Sequence, residues 1–135
     1  MSYELIPSVC SYCGTGCGVL FEVLDGRLTG TFPLKTHPVN QGKLCIKGWN
    51  LHEYITSDMR LTAPMVKVSG RFMKTNWDEA ITFTADRLRE IVQEHGPDSV
   101  GVLVSAKMTN EENYLAQKFA RTAVGTNNVD HCARL

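Results

Sequence analysis

The chain has 135 residues, 43% of them hydrophobic and 21% charged, which is typical of about one small globular domain. Fourteen Lys and Arg balance fourteen Asp and Glu, so the basic excess of a nucleic-acid-binding protein is missing. No apolar run approaches the ~20 residues that span a bilayer, and the first residues lack an export signal. We therefore expect a cytoplasmic protein without a membrane segment.

The first third of the sequence predicts a small unit rich in β-structure. Residues 3–9 are expected to form a strand that leads to Cys10. Residues 18–24 and 27–32 are predicted to pair as a hairpin, because Asp25-Gly26 between them is typical of a type I′ turn.

A loop, a short helix and a domain boundary are expected next. Residues 33–42 are rich in turn formers and predict a loop. A short helix is expected from about residue 45 to 55, and the boundary falls within residues 56–64. We place it so that the first domain covers 1–57 and the second 58–135.

The second domain is predicted to begin with a hairpin and an amphipathic helix. Residues 65–73 fit a hairpin around Ser69-Gly70. Asn76 followed by Glu79 resembles a capping box, and apolar residues then recur at helical spacing until Gly96-Pro97.

A strand and a second helix complete the predicted elements. Residues 100–104 form an apolar run of the kind that is buried in a parallel sheet, and residues 110–124 predict a helix that Gly125 ends. The predicted inner face of this helix consists of Leu115, Ala116, Phe119, Ala120 and Ala123. A lone strand needs partners for its backbone. We therefore expect the opening helix, strand and helix of a larger α/β domain rather than a small irregular α+β fold.

Four of the five cysteines follow the pattern Cys10-x2-Cys13-x3-Cys17-x27-Cys45. Cysteines in a chain without an export signal are more often metal ligands or reactive thiols than disulfides. Structural zinc sites usually combine two pairs of ligands, whereas here three are crowded and the fourth stands alone. This spacing favours a [4Fe–4S] cluster over the alternatives, a zinc site or unrelated buried cysteines.

Glycines and a lysine accompany the cysteines. Gly14, Gly16 and Gly18 allow sharp turns that bring backbone amides near the sulfurs. Lys47, two residues after Cys45, is by its position alone an ordinary solvated lysine. The functional interpretation is a cation near the cluster that donates a charge-assisted hydrogen bond to a second cofactor.

These motifs together resemble one family. The cysteine pattern with Lys47-Gly48, then Arg60-Leu-Thr-Ala-Pro-Met65 and Trp77-Asp-Glu-Ala80, resembles the N-terminal part of molybdopterin oxidoreductases of the dimethyl-sulfoxide-reductase type. The stretch from Gly125 to Leu135 is similar to the formate dehydrogenase catalytic subunit just before its metal-binding residue. The resemblance implies an α+β and α/β fold: a small β-hairpin-rich [4Fe–4S] domain, followed by the incomplete start of an α/β molybdopterin-binding domain.

The resemblance also implies roles for individual residues. The cluster ligands would be Cys10, Cys13, Cys17 and Cys45. Lys47 matches the family lysine that lies between cluster and pterin and assists electron passage, so it is both a catalytic and a cofactor-binding candidate. Its ammonium group should raise the cluster potential. Arg134 is a candidate for binding the pterin or its phosphates.

Other polar residues near the end of the chain are expected to be structural. Cys132 matches a family cysteine that precedes the metal ligand and is predicted to be a small buried residue, and His131 is predicted to be structural as well. In the family the next residue after this stretch is a selenocysteine or cysteine ligand. We therefore expect an in-frame UGA codon for selenocysteine after Leu135, with a fragment of a longer chain as the alternative.

The implied activity is that of a formate dehydrogenase. The complete protein would interconvert formate and carbon dioxide at a molybdenum or tungsten bis(molybdopterin guanine dinucleotide) centre and pass two electrons through the cluster. Its expected partners are the remaining part of the catalytic subunit and an iron–sulfur electron-transfer subunit, linked to NAD, ferredoxin or a hydrogenase. The 135-residue chain alone is expected to be inactive.

Three alternatives stay open at this point. A nitrate reductase of the same superfamily shares the cluster motif, although the stretch Asn128-Val-Asp-His-Cys-Ala-Arg134 favours the formate enzyme. A stand-alone carrier of ferredoxin type would leave the two amphipathic helices without a role. A zinc-binding interaction module is the alternative without redox chemistry.

Overall fold

The computed structural model describes residues 1–132, which form two compact units. The first unit contains Met1–Arg60, Ser105–Tyr114 and residues 131 and 132, and the second contains Leu61–Val104 and Leu115–Asp130. The domain boundary expected after residue 57 stays a prediction. Within the described residues, no helix combines the length and the apolar character that crossing a membrane requires.

A three-stranded antiparallel sheet is the framework of the first unit. Its strands, in spatial order, are β1 (Tyr3–Val9), β2 (Gly18–Leu24) and β3 (Arg27–Pro33). Asp25 and Gly26 have φ values of 47° and 77°, which are the positive values that a type I′ turn requires. The predicted strands agree with the observed ones to within one residue.

The pairing of β1 with β2 determines where the first three cysteines lie. The register runs from Tyr3 opposite Leu24 to Val9 opposite Gly18. Directly beyond the last pair, the N–H of Cys10 donates to the carbonyl of Cys17 at 2.8 Å. Residues 10–17 are therefore the loop of this hairpin, which the sequence did not predict.

The helix expected over residues 45–55 consists of two short helices, α1 (Ile46–Trp49) and α2 (Leu51–Thr56). Asn50 separates them, with φ −101° and ψ 22°. Its side-chain amide donates to the carbonyl of Ile46 at 2.8 Å. Such a local side-chain bond competes with the continuation of a helix, as expected for Asn.

The core of the first unit is small and includes one of the four cysteines of the motif. Val19 and Leu51 are fully buried, and Cys10 packs with them at 6% exposure. Tyr12, Cys17, Phe21 and Leu44 are partly buried against this group. Residues of β2 and α2 therefore pack together with Cys10.

The second unit begins with the predicted hairpin, formed by β4 (Met65–Val68) and β5 (Arg71–Lys74). Ser69 and Gly70 between them have positive φ values of 48° and 82°. This is again the backbone geometry of a type I′ turn.

The amphipathic helix α3 covers Trp77–His95, with Asn76 as its N-cap. The Asn76 Oδ1 accepts from the N–H of Glu79 at 2.9 Å, so the predicted capping interaction is confirmed. Gly96, at φ 82°, ends the helix, and Pro97–Ser99 then forms a single 3₁₀ turn. Two apolar side chains of this helix, Trp77 and Ile81, are 69% and 60% exposed.

The strand expected over residues 100–104 is shorter than predicted. β6 covers Val102–Val104 and pairs with β7 (Val129–His131) in a two-stranded sheet. Leu103 is 84% exposed, whereas Val102 and Val104 are half-buried. The expected burial of this strand by the rest of a larger α/β domain stays a prediction.

Helix α4 (Asn110–Phe119) continues into a π-helical turn over Ala120–Val124. The N–H groups of Gly125 and Thr126 both donate to the carbonyl of Ala120, at 2.9 and 3.0 Å. Only Ala120 of the five predicted inner-face residues is buried, while Leu115 and Phe119 are 59% and 45% exposed.

Candidate metal centre

One cavity of the first unit brings together the four cysteines of the motif. It is lined by Cys10, Cys13, Cys17 and Cys45. Lys47 lines it as well, and so do Ala106 and Lys107 from a later segment of the chain. Residues that are far apart in sequence thus share one site.

Two different backbone elements carry the cysteines. Cys10, Cys13 and Cys17 lie on the loop between β1 and β2, where Gly16 adopts a φ of 65° that favours glycine. Cys45 precedes α1 as its N-cap residue, and its carbonyl accepts from the N–H of Trp49 at 3.1 Å. Cys10 is buried, Cys13 and Cys17 are half-buried, and Cys45 is exposed.

Asn40 connects these two elements by hydrogen bonds. Its Oδ1 accepts from the N–H of Gly18 at 2.8 Å, and its Nδ2 donates to the carbonyls of Gly18 at 3.1 Å and Lys43 at 2.9 Å. Gly18 directly follows Cys17, and Lys43 lies two residues before Cys45. The buried amide of Asn40 therefore fixes the separation between the loop and the fourth cysteine.

Two glycines of the motif are explained by close packing. A Cβ on Gly18 would lie 2.4 Å from the ring of His37, and a Cβ on Gly14 would lie 2.4 Å from Oδ1 of Asn110. Asn110 also donates from Nδ2 to the carbonyl of Gly14 at 3.0 Å. The sequence predicted glycine for sharp turns, and the structure adds the approach of two side chains from elsewhere in the chain.

The pKa values of two thiols at the cavity, Cys10 and Cys17, are raised. The pKa of Cys10 is raised first by burial and then by repulsion from Cys13 and Cys45, partly offset by the backbone N–H of Tyr12. Burial is also the largest cause of the raised pKa of Cys17, followed by Cys10 and Cys13. Four neighbouring thiolates would need positive charge between them, which bound iron ions would supply.

The four cysteines that line the cavity are the ligand set that a [4Fe–4S] cluster uses, since each of its irons binds one thiolate. Among residues 1–132, no three Cys, His, Asp or Glu side chains are close enough to hold one metal ion.

Lys47 lies in the last turn of α1 and is half-buried at the cavity. Its Nζ is 5.0 Å from the centroid of the Tyr12 ring, within the range of a cation–π interaction. Tyr12 belongs to the loop between Cys10 and Cys13. The aromatic ring therefore holds the predicted cation beside the cysteines.

Cys132 is placed differently from the prediction. It was expected to be buried, but it is exposed in the described structure. Its Sγ lies 3.5 Å from Oγ of Ser105. The pKa of Cys132 is lowered by this hydrogen bond first, then by the backbone of Ala106 and the charge of Lys107. Arg134 lies outside the described residues, so its predicted contact with the pterin stays a prediction.

Sequence reasoning missed the three residues Asn40, Lys107 and Asn110. Each acts at the cavity through a contact that depends on the tertiary fold. A partial signal exists for the segment around Lys107, because Thr109 and Glu112 form a capping box. The Glu112 Oε2 accepts from the N–H of Thr109 at 2.8 Å, and Thr109 Oγ1 accepts from the N–H of Glu112 at 3.2 Å.

Comparison with known proteins assigns the chain to a family. Residues 3–57 match the molybdopterin oxidoreductase Fe4S4 domain, and residues 60–135 match the molybdopterin oxidoreductase domain. The chain belongs to the molybdopterin oxidoreductase family. The predicted family and mixed fold are thereby confirmed, and so are the two cofactor classes, a [4Fe–4S] cluster and a molybdopterin.

Two members of the molybdopterin oxidoreductase family show how closely the chain is related to named proteins. It is 50% identical over 135 residues to the F420-dependent formate dehydrogenase 1 subunit alpha of Methanococcus maripaludis, covering 100% of this chain and 19% of the relative. The F420-dependent formate dehydrogenase subunit alpha of Methanocaldococcus jannaschii is 45% identical over 135 residues, again covering 100% of this chain and 19% of the relative. The chain thus spans about a fifth of the length of these relatives.

A solved structure of the family has a similar fold. The acetylene hydratase of Pelobacter acetylenicus matches with a TM-score of 0.76 at 27% identity, over 93% of this chain and 18% of that one. Its printed name differs from that of the formate dehydrogenases. The shared fold therefore does not by itself select a substrate.

Proposed function

We propose that the protein is the N-terminal, electron-transferring part of a formate dehydrogenase. One observation carries the proposal: four cysteines line a single cavity in a chain that is 45–50% identical, over its whole length, to formate dehydrogenase alpha subunits. Residues 1–57 would form the cluster-binding domain, and residues 58–135 would belong to the molybdopterin domain.

The residues of this chain have distinct roles in the proposal. Cys10, Cys13, Cys17 and Cys45 bind the [4Fe–4S] cluster. A molybdenum or tungsten bis(molybdopterin guanine dinucleotide) centre supplies the two-electron chemistry of formate and carbon dioxide. Lys47 assists electron passage between pterin and cluster. The contact of its ammonium group with the Tyr12 ring supports this role, because the contact restricts the charge to the cavity.

Burial and charge at the cavity fit a site that accepts electrons. Cys10 packs against Val19 and Leu51, which excludes water from one side of the ligands. The half-buried Lys47, which lines the same cavity, favours a cluster that gains negative charge on reduction. The protein therefore positions and tunes the cofactor, as proteins generally do in redox enzymes.

The proposed partners follow from the same family relationship. They are the remaining part of the catalytic subunit and an iron–sulfur electron-transfer subunit in a multi-subunit, cytoplasmic enzyme. The final acceptor is NAD, ferredoxin, a hydrogenase, or the F420 that the printed names of the relatives include. Formate and carbon dioxide are the substrates.

The test uses the complete protein, purified without oxygen. We expect formate-dependent reduction of a viologen dye, visible absorption of an iron–sulfur protein, and an electron paramagnetic resonance signal after reduction. Nitrate with reduced viologen is the control for the related nitrate reductases. A colourless protein with one zinc, or an enzyme active with nitrate and inactive with formate, would contradict the proposal.

A further inference from the structure

The cavity of the four cysteines is lined by a second lysine that the sequence motif does not include. Lys107 belongs to the segment Ser105–Tyr114, which follows β6 and packs in the first unit. Lys47 and Lys107 thus reach one cavity from segments about 60 positions apart in the printed chain.

The segment that carries Lys107 is held by several hydrogen bonds. The N–H of Lys107 donates to Oγ of Ser105 at 3.0 Å. Asn113 donates from Nδ2 to the carbonyl of Thr109 at 2.9 Å and to that of Ser105 at 3.3 Å. These hydrogen bonds define the backbone turn from which the Lys107 side chain extends.

The same segment is attached directly to the cysteine loop. Asn110, three residues after Lys107, donates from Nδ2 to the carbonyl of Gly14 at 3.0 Å. Gly14 lies between Cys13 and Cys17. This bond fixes the turn of Lys107 relative to the loop that carries three of the four cysteines.

We infer that Lys107 is a second positive charge at the cluster site and raises the reduction potential of the [4Fe–4S] cluster. Lys107 binds no iron and acts through the electric field of its ammonium group. A four-thiolate cluster that accepts one electron gains one unit of negative charge, so a nearby fixed cation stabilises the reduced form. The inference rests on the proposed function, because it requires the cluster at these cysteines.

The experiment is a redox titration of the complete holoenzyme, followed by electron paramagnetic resonance of this cluster. Lys107→Gln and Lys107→Met remove the charge, and Lys107→Arg keeps it. Lys35→Gln is the matched control, because Lys35 is an exposed lysine of the same unit that does not line the cavity. Iron content is measured for every variant.

We expect both neutral variants to shift the midpoint potential in the negative direction with unchanged iron content. Lys107→Arg and Lys35→Gln should keep the wild-type potential. Neutral variants with the wild-type potential would overturn the inference, and so would a shift of the same size in Lys35→Gln. Loss of iron from both neutral variants would overturn it as well, since a tuning charge leaves the cluster assembled.

Failure of the inference differs from failure of the proposed function. If no cluster binds at the four cysteines, the wild-type protein itself lacks the resonance signal of this cluster. If only the role of Lys107 is wrong, the wild-type signal is present and the potentials of the variants do not move.

Discussion

Cys45 differs from the other three cysteines of the cavity in exposure and in backbone setting. It is exposed at the start of a short helix, whereas Cys10 is buried in the core. Exposure does not make it dispensable, because a cluster held by four thiolates loses one iron ligand when any of them is removed. A fifth cysteine, Cys132, offers a comparison within the same chain.

Replacement of Cys45 by alanine is therefore expected to remove most of the bound iron and the visible absorption of the cluster. The matched control is Cys132→Ala, because Cys132 is also exposed but does not line the cavity. Iron and sulfide analysis of both variants, purified without oxygen, provides the measurement. Equal iron loss in the two variants would show that Cys45 has no special role.

Asn40 is the clearest case of a polar side chain that supports the site without lining its cavity. Its amide makes three hydrogen bonds, two to Gly18 and one to Lys43, and it is only 8% exposed. Removing the amide leaves buried backbone groups without partners, which costs about 1–3 kcal/mol for such a group.

We expect Asn40→Ala to lower the free energy of unfolding by that amount and to accelerate iron loss to a chelator. Asn40→Asp keeps an acceptor for the N–H of Gly18 but places a buried carboxylate beside the carbonyls of Gly18 and Lys43, so its loss should be at least as large. Denaturant unfolding and the rate of iron release measure the two effects. A stability equal to that of the wild type in Asn40→Ala would mean that water replaces the amide fully.

At the scale of secondary structure, local signals predicted local elements. The Asp25-Gly26 and Ser69-Gly70 turns, the Asn76 cap and the Gly96 stop all appear where the sequence placed them. Each depends on the backbone preference of one or two residues, which a sequence displays directly. The strand and helix bounds that follow from them are accurate to a few residues.

Pairing between distant elements was less predictable. The hairpin of β1 and β2, which makes residues 10–17 a loop, lacks the two-residue signal that marks a tight hairpin turn. The segment Ser105–Tyr114 reaches the cysteines through Asn110, and its composition gives no indication of that. The four cysteines were predictable because their spacing reflects the chemistry of the ligand set, whereas their supporting residues depend on the fold.

The capping interaction of α3 also predicts a pH dependence of stability. Hydrogen bonds from the Thr75 hydroxyl first, and then from Asn76, hold the pKa of Glu79 below its usual 4.5. Because the folded pKa is lower than the unfolded one, the stabilisation is complete above about pH 4.5 and is lost as the pH falls through the folded value.

The advantage of the wild type over Glu79→Gln in unfolding temperature should therefore shrink as the pH is lowered from 6 towards 3. Thr75→Val removes the hydrogen bond that lowers the pKa of Glu79 most. The unfolding temperature of this variant should therefore depend less on pH than that of the wild type. Thermal unfolding of the three proteins across this range is the measurement. A difference that stays constant with pH would contradict the assignment.

For the whole chain, the exposed apolar surface stands out. Large apolar side chains are exposed on several elements of the second unit, among them Phe72, Trp77, Leu103 and Leu115. Apolar patches of this kind usually mark surfaces that bind other polypeptide. The chain spans about a fifth of the length of its relatives.

A protein consisting only of residues 1–135 is accordingly expected to self-associate and to show no formate-dependent dye reduction. Light scattering after size-exclusion chromatography measures association, and a viologen assay measures activity. A control sample whose cluster has been reconstituted with iron and sulfide distinguishes inactivity caused by a missing cluster from inactivity caused by a missing catalytic centre. Dye reduction by residues 1–135 alone would contradict the proposed division of function.

The hydrogen bond from Asn110 to Gly14 has a consequence for the order of events during synthesis. The two residues are 96 positions apart. Since ribosomes add about 5–20 residues per second, the cysteine loop waits roughly 5–20 s for the side chain that fixes it. Throughout this interval the nascent chain carries thiols in an unfinished loop. A cysteine loop held by the Asn110 bond therefore exists only after residue 110 has been made.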